Sequence, residues 1–133
     1  MSPVTAFERA VEARDLDALV GALAPDVTFR SPVVYCPYEG REVVSKIIEA
    51  VIQVFDEFEY VQRFEADGTA ALIFKASVGD RELDGLDLLR LDEDGLVSEL
   101  TVMVRPMSGV HALAAAMAEQ LERMGVPVPG RAP

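Results

Sequence analysis

The sequence predicts one α+β domain, because segments with helical spacing of apolar residues alternate with segments in which every second residue is apolar. Its 133 residues suit a single domain with one hydrophobic core. The predicted order of elements is α-α-β-α-β-β-β-β-α, without an internal repeat. We expect the domain to cover residues 1–124, followed by a flexible tail rich in proline and glycine at residues 125–133.

Two helices are predicted at the N-terminus. Ser2 and Pro3 are typical of a helix start, because a serine hydroxyl accepts hydrogen bonds from free N–H groups and proline suits the first helical position. A second, shorter helix follows Asp15. It is expected to end at Pro25, which cannot donate an intrahelical hydrogen bond.

The next segment contains a strand, a turn and the longest predicted central helix. Residues 26–31 alternate, which places Val27, Phe29 and Ser31 on one face of a strand. The stretch SPVVYCPYEG then carries the prolines and glycine of a turn. A helix of about four turns is predicted after it from apolar residues at three- and four-residue spacing. These residues are Val44, Ile47, Ile48, Val51 and Phe55.

Four further strands are predicted, because β-rich runs are separated by residue pairs that favour tight turns. The pairs are Asp67-Gly68, Gly79-Asp80 and Asp94-Gly95. Such short connections favour an antiparallel meander. In its first strand the alternation places Phe58, Tyr60 and Phe64 on one face. The last strand is expected at Leu96–Arg105, and a final helix begins at Ser108.

Charge and composition exclude several classes of function. A net charge of −11 repels phosphate backbones and anionic lipid, so neither a nucleic acid nor a membrane is an expected partner. One cysteine and one histidine leave no disulfide and no Cys/His metal site, and the nucleotide-binding motifs are missing. We therefore expect no metal and no cofactor. The acidic N-terminus has no signal core, which favours a cytoplasmic protein.

Three segments resemble the nuclear-transport-factor-2-like superfamily, especially its SnoaL-like branch. They are RDLDALVGALAPDVTFRSPV (14–33), PYEGRE (37–42) and GLDLLRLDEDGLVSELTVMVRP (85–106). The resemblance covers nearly the whole chain. It implies a cone-shaped, strongly bent antiparallel or mixed sheet wrapped around helices, a deep apolar pocket and a homodimer built on the outer sheet face. The same fold carries isomerases, cyclases, dehydratases, epoxide hydrolases and inactive binding modules.

The last predicted strand supports the homodimer independently, because both of its faces carry apolar side chains. They are Leu100, Val102 and Val104 on one face, and Val97, Thr101 and Met103 on the other. A strand that is apolar on both faces needs cover on both, from helices on one side and from another sheet or subunit on the other.

Asp87 is the residue with the strongest indication of chemistry. In a two-residue period it shares a face with Leu83, Gly85, Leu89 and Leu91. A carboxyl among leucines is desolvated, which raises its pKa and suits it to proton transfer. The alternative is that Asp87 faces outward or pairs structurally with an arginine.

The resemblance adds a comparison with ketosteroid isomerases. Asp87 matches the aspartic acid that those enzymes keep protonated in their oxyanion hole. Their general-base aspartate falls at Ser31, however, and their helix-1 tyrosine falls at about Ala10. Steroid-type isomerisation is therefore not expected. The Asp–Arg–Asp constellation of limonene-epoxide-hydrolase-type enzymes is also incomplete, since only Asp87 and Arg105 are found.

Other residues are candidate ligand contacts. Tyr35 and Tyr38 each offer a ring and a hydroxyl, and Cys36 between them is interpreted as a bystander. Arg105 either faces Asp87 or a ligand carboxylate, or lies on the surface. His111 is either an acid–base partner or a surface residue. The full set of expected ligand contacts is Tyr35, Tyr38, Ser31, Phe29, Phe74, Thr101, Met103, Arg105 and His111.

Two functions remain open from the sequence. The first is a cofactor-independent cyclase, isomerase, dehydratase or epoxide hydrolase that acts on a small hydrophobic molecule through Asp87. The second is a ligand-binding or dimerisation module without chemistry. The observation that separates them is whether Asp87 faces a cavity of roughly 300 Å³ or more.

Overall fold

The computed structural model describes residues 2–126, which form four helices and one six-stranded sheet. The helices are α1 (Pro3–Glu12), α2 (Leu16–Gly21), α3 (Arg41–Val54) and α4 (Met107–Met124). The strands are β1 (Leu23–Arg30), β2 (Tyr38–Glu39), β3 (Glu57–Ala66), β4 (Thr69–Val78), β5 (Arg81–Leu91) and β6 (Val97–Arg105). The α+β class and the C-terminal helix are confirmed.

The sheet is mixed and open. Its strand order is β2-β1-β6-β5-β4-β3, and only β1 and β6 are parallel neighbours among the described strands. The predicted antiparallel meander is therefore confirmed for β3 to β6. The helices cover one face of the sheet, called here the inner face, and the opposite face is called the outer face. The strong bend implied by the resemblance is not found, since the sheet is not strongly curled.

Side-chain caps explain where the first two helices begin. The Ser2 hydroxyl accepts from the N–H of Thr5 at 3.1 Å, and the Asp15 carboxylate accepts from the N–H of Ala18 at 3.1 Å. The predicted end of the second helix at Pro25 was wrong, because α2 ends at Gly21 and Pro25 lies inside β1. The pairing of β1 with β6 is irregular on either side of this proline, which has no N–H to donate.

Two features of the strands differ from the sequence pattern. Tyr38–Glu39 forms the short strand β2 against β1, which is too brief to show a period. On β3 the register shifts between Tyr60 and Gln62, so the chain gains one residue at Val61. Phe64 therefore lies on the outer face and is 55% exposed, rather than sharing a face with Tyr60.

The described end of the chain packs onto the domain. Gly125 has a φ of 70° and caps α4, and Val126 is buried against the core. The rest of the predicted tail, residues 127–133, lies outside the described residues. No helix among residues 2–126 has the length and hydropathy required to span a bilayer.

Gly85 allows a close contact between two strands of the inner face. It pairs with Phe74 of β4, whose ring lies over the Gly85 backbone. A Cβ added to Gly85 would lie 2.0 Å from Cζ of Phe74, well inside contact distance. The missing side chain thus leaves room for a buried aromatic ring two residues from Asp87.

We predict that Gly85→Ala lowers the free energy of unfolding by about 2 kcal/mol or more, because the ring of Phe74 must leave its place. Urea denaturation followed by circular dichroism measures the change. Gly21→Ala is the matched control, since nothing lies within 4 Å of a Cβ there and the helix favours alanine. Equal stability of Gly85→Ala and the wild type would contradict the packing described for Phe74.

Candidate active site

A cavity of about 530 Å³ lies between the helices and the inner face of the sheet. The helices α1 to α4, the strands β1 to β6 and the loop at residues 31–34 all contribute side chains to its wall. Most of these side chains are apolar. The volume exceeds the roughly 300 Å³ at which ligand pockets begin.

Asp87 lies in the wall of this cavity, on the inner face of β5, and is only 8% exposed. One of its oxygens, Oδ2, accepts a hydrogen bond of 2.5 Å from the hydroxyl of Tyr60. Burial raises the pKa of Asp87 from its ordinary value of 3.8 to about 7, although the hydrogen bond from Tyr60 acts in the opposite direction. At neutral pH the carboxyl therefore exists in both protonation states.

Tyr60 is a site residue that the sequence did not reveal. Its ring packs edge-to-face against Phe58 at 4.9 Å and against Phe74 at 6.3 Å between centroids. Burial, together with the charge of Asp87, raises the pKa of Tyr60 well above its usual range, so the hydroxyl remains a donor. Tyr60 lies two strands away from Asp87, and only the strand order brings the two side chains together.

Four of the expected ligand contacts lie in the cavity wall, and the other five do not. Those in the wall are Phe29, Ser31, Tyr38 and Phe74. Tyr35 is 99% exposed in the loop before β2, and His111 is exposed on α4. The remaining three, Thr101, Met103 and Arg105, lie on the outer face of β6.

Strand register explains why these β6 residues face outward. Arg105 pairs across the strands with Asp84 of β5, which alternates with Asp87 and so has the opposite orientation. The Nη1 atom of Arg105 donates to Oδ2 of Asp84 at 2.7 Å. Lys75 and Arg105 together lower the pKa of Asp84 by hydrogen bonding to it. The alternative pairing of Arg105 with Asp87 is therefore not formed.

The family resemblance matches Ser31 with the base of ketosteroid isomerases, and the hydrogen bonds around Ser31 suit its hydroxyl to donate. Its Oγ atom accepts from the N–H groups of Val33 at 3.0 Å and Val34 at 3.3 Å. These bonds occupy the oxygen, so the hydroxyl proton is the group left for a ligand. Tyr38 is a second candidate donor in the wall, and burial raises the pKa of its hydroxyl.

The helix α1 contributes Phe7 and Val11 to the wall, and neither carries a polar group. Ala10, near which the resemblance places the isomerase tyrosine, is buried but does not line the cavity. Within the described wall the ionisable side chains are Arg14, Tyr38 and Asp87. Residues 2–126 contain no group of three potential metal ligands. The wall thus offers one carboxyl for proton transfer and hydroxyls for hydrogen bonding.

We predict that Asp87→Asn is more stable than the wild type at about pH 8, by on the order of 4 kcal/mol. The folded wild type holds a proton on Asp87 up to about pH 7, whereas the unfolded chain releases it at about pH 4. Its stability therefore falls as the pH rises through this window, and the amide of the variant has no such proton to lose. Urea denaturation at a series of pH values measures the difference, which should vanish below about pH 4.

Tyr60→Phe is the companion variant for this experiment. Loss of the hydroxyl removes the hydrogen bond that stabilises the ionised carboxyl, so the pKa of Asp87 should rise further. If the free energies of unfolding of the wild type and of Asp87→Asn changed in parallel with pH, Asp87 would not be desolvated.

Comparisons with known proteins show which family model this chain matches and which solved structures it resembles. Residues 4–100 match the family model described as SnoaL-like domain. A steroid delta-isomerase from Pseudomonas aeruginosa is 40% identical, with a TM-score of 0.88 over 94% of this chain and 93% of that one. A protein with a cystatin-like fold from Silicibacter pomeroyi is 32% identical, with a TM-score of 0.87 over 90% of this chain and 85% of that one.

A more distant structure supports the fold alone. It is an NTF2-like protein of unknown function from Cytophaga hutchinsonii, 23% identical, with a TM-score of 0.65 over 80% of this chain and 89% of that one. No curated protein matches this chain in sequence. The family model covers well over half of the chain, and this chain therefore belongs to the SnoaL-like family.

Proposed function

We propose that this protein is a cofactor-independent isomerase, which moves a proton within a small apolar molecule bound in the cavity. The observation that carries the proposal is a buried carboxyl, Asp87, in the wall of an apolar cavity of about 530 Å³. Its pKa of about 7 lies near neutrality, where a group both accepts and returns a proton effectively.

The proton balance favours isomerisation over the other activities of the fold. In an isomerisation the carboxylate of Asp87 takes a proton from one carbon, and the resulting acid returns it to another carbon. One carboxyl is sufficient, because no proton is gained or lost overall. Ser31 and Tyr38 supply hydroxyls that can donate to an oxygen of the substrate while negative charge develops on it.

The relationship to the Pseudomonas aeruginosa protein supports the same reaction class, since that protein is named a steroid delta-isomerase. We do not extend its steroid substrate to this chain. By resemblance Ser31 corresponds to the ketosteroid isomerase base, and a serine without an activating neighbour does not replace a carboxylate. In this proposal Asp87 therefore acts as the base itself.

A second candidate function is binding without chemistry. It is favoured by the apolar wall of the cavity, since Asp87 is the one carboxyl among the described wall residues. A protein of this kind would be stabilised by apolar ligands in the wild type and in Asp87→Asn alike, and would convert none of them.

We predict that the protein converts a β,γ-unsaturated cyclic ketone to its conjugated isomer, which is followed by ultraviolet absorbance. Asp87→Asn should lower kcat/KM by about 100-fold or more, because the proton acceptor is lost. In the wild type kcat/KM should rise with pH around a midpoint of about 7, as the carboxylate form becomes populated.

Asp84→Asn is the matched control, since Asp84 lies on the same strand but on the outer face. It should retain most of the activity. Equal activity of Asp87→Asn and the wild type would exclude the proposed base. Stabilisation by the ketone without turnover in any variant would favour the binding module.

We also propose a homodimer formed through the outer face of the sheet. Four apolar side chains meet there across β4, β5 and β6: Ile73, Leu86, Leu88 and Met103. Ion pairs flank them, with Asp84 between Lys75 and Arg105 at one end and Arg30 with Glu99 at the other. An apolar centre with a charged rim is the usual composition of a subunit interface.

We predict that Leu86→Glu gives a folded monomer, because a carboxylate cannot be buried at the centre of this face. Light scattering after size-exclusion chromatography measures the mass, and circular dichroism checks the fold. Val43→Glu is the control, since Val43 is also partly exposed but lies on α3, on the other side of the sheet. A wild type that is monomeric at all concentrations would exclude this interface.

A further inference from the structure

Arg14 has an unusual position for an arginine. It follows Ala13, the C-cap residue of α1, and has a φ of 55°, in the left-handed region. Helices that end in this way usually place glycine at this position, because a Cβ is disfavoured there. The backbone conformation therefore does not explain why an arginine lies at this position, and the explanation must come from the contacts of its side chain.

The guanidinium group of Arg14 reaches the C-terminal end of α3. Nη1 donates to the carbonyl of Ile52 at 2.6 Å, and Nη2 donates to the carbonyls of Phe55 at 2.9 Å and Asp56 at 3.2 Å. A guanidinium has five N–H donors. The Nε–H and one Nη1–H remain after these three bonds.

The positive charge of Arg14 is not neutralised by a carboxylate of residues 2–126, since no ion pair includes it. Two neighbouring acids bond elsewhere. Glu12 accepts from the N–H of Tyr60, and Asp56 accepts from the N–H of Gly79. The end of a helix carries only about half a negative charge, so the carbonyls of α3 leave the guanidinium with net positive charge.

Arg14 also lies in the wall of the cavity and is exposed, which places it where the cavity meets solvent. It is the one cation among the described wall residues, in a chain whose net charge is −11. An anionic group is therefore attracted at this point and repelled by the rest of the molecule. It is also kept away from Asp87, since two carboxylates close together repel each other.

We propose that the natural ligand is an apolar monocarboxylic acid whose carboxylate binds Arg14 at the rim, while its apolar body occupies the cavity beside Asp87. This assignment rests on the proposed function for the cavity and adds the class and the orientation of the molecule. The remaining N–H groups of Arg14 point in different directions, so one of them donates a charge-assisted hydrogen bond to a carboxylate oxygen. Asp87 then faces the apolar body, where the proton transfer takes place.

The test compares a fluorescent polyene fatty acid with its primary amide, which has nearly the same shape and no charge. Fluorescence titration gives a dissociation constant for each probe. The wild type should bind the acid about fivefold more tightly than the amide, the effect of one partly exposed ion pair. Arg14→Gly should abolish this preference. The substitution adds no backbone strain, because glycine readily adopts the left-handed conformation found at this position.

Two further variants keep the result interpretable. Arg14→Gln removes the charge but keeps a longer side chain than glycine, and serves if Arg14→Gly proves unstable. It should also abolish the preference for the acid. Arg41→Gln is the matched control, since Arg41 likewise donates to a backbone carbonyl, that of Leu23, but does not line the cavity. It should keep the preference of the wild type.

The outcomes separate this inference from the proposed function. Equal binding of acid and amide by the wild type would overturn the carboxylate site and leave the apolar cavity standing. A preference that persists in both Arg14 variants would assign it to another residue and also overturn the inference. Binding of neither probe by the wild type would count against the cavity as a ligand site and against both proposals.

Discussion

The Asp87 carboxyl is buried on an apolar sheet face, and this burial determines the chemistry available to the fold. Taking an ionised carboxyl out of water is costly, so Asp87 holds its proton to about pH 7. The hydrogen bond from Tyr60 stabilises the ionised form of this carboxyl. Tyr60 is in turn held by the rings of Phe58 and Phe74. Phe74 reaches its place only because Gly85 has no side chain.

The alternation of side chains along β5 and β6 separates two kinds of surface. The inner residues form the cavity wall, where Asp87 is desolvated. The outer residues include Asp84, which lies between Lys75 and Arg105 and remains ionised to a lower pH than usual. Two aspartates three residues apart on one strand thus have pKa values shifted in opposite directions, because one faces an apolar interior and the other faces cations.

The cavity has polar groups at defined places in an otherwise apolar wall. Ser31 and Tyr38 come from the chain between β1 and α3, and Arg14 comes from the turn after α1. Ser31 and Tyr38 offer hydroxyls, whereas Arg14 offers charge at the rim. An apolar molecule with a single polar end would therefore be oriented by the cavity, with its apolar part at Asp87.

The periodicity of the sequence predicted every element except the short strand β2, together with the antiparallel meander, and it favoured an inward orientation of Asp87. The turn pairs and caps act locally, and a period of two assigns neighbouring residues to opposite faces. Local signals also misled at two points, since Pro25 lies within β1 and the extra residue at Val61 moves Phe64 to the outer face. The family resemblance placed Ser31 at the position of the isomerase base.

Only the tertiary structure decided which residues surround Asp87. Tyr60 reaches it from two strands away, and Arg14 reaches the cavity from a turn that pairs with the end of α3. Arg105 was placed on the other face by its register with Asp84. These contacts depend on strand order, register and the packing of distant segments, and a one-dimensional pattern carries no information about such distances. The sequence by itself determined that Asp87 shares a strand face with leucines, because a period of two is local, and the fold decided that this face is buried and what the carboxyl meets.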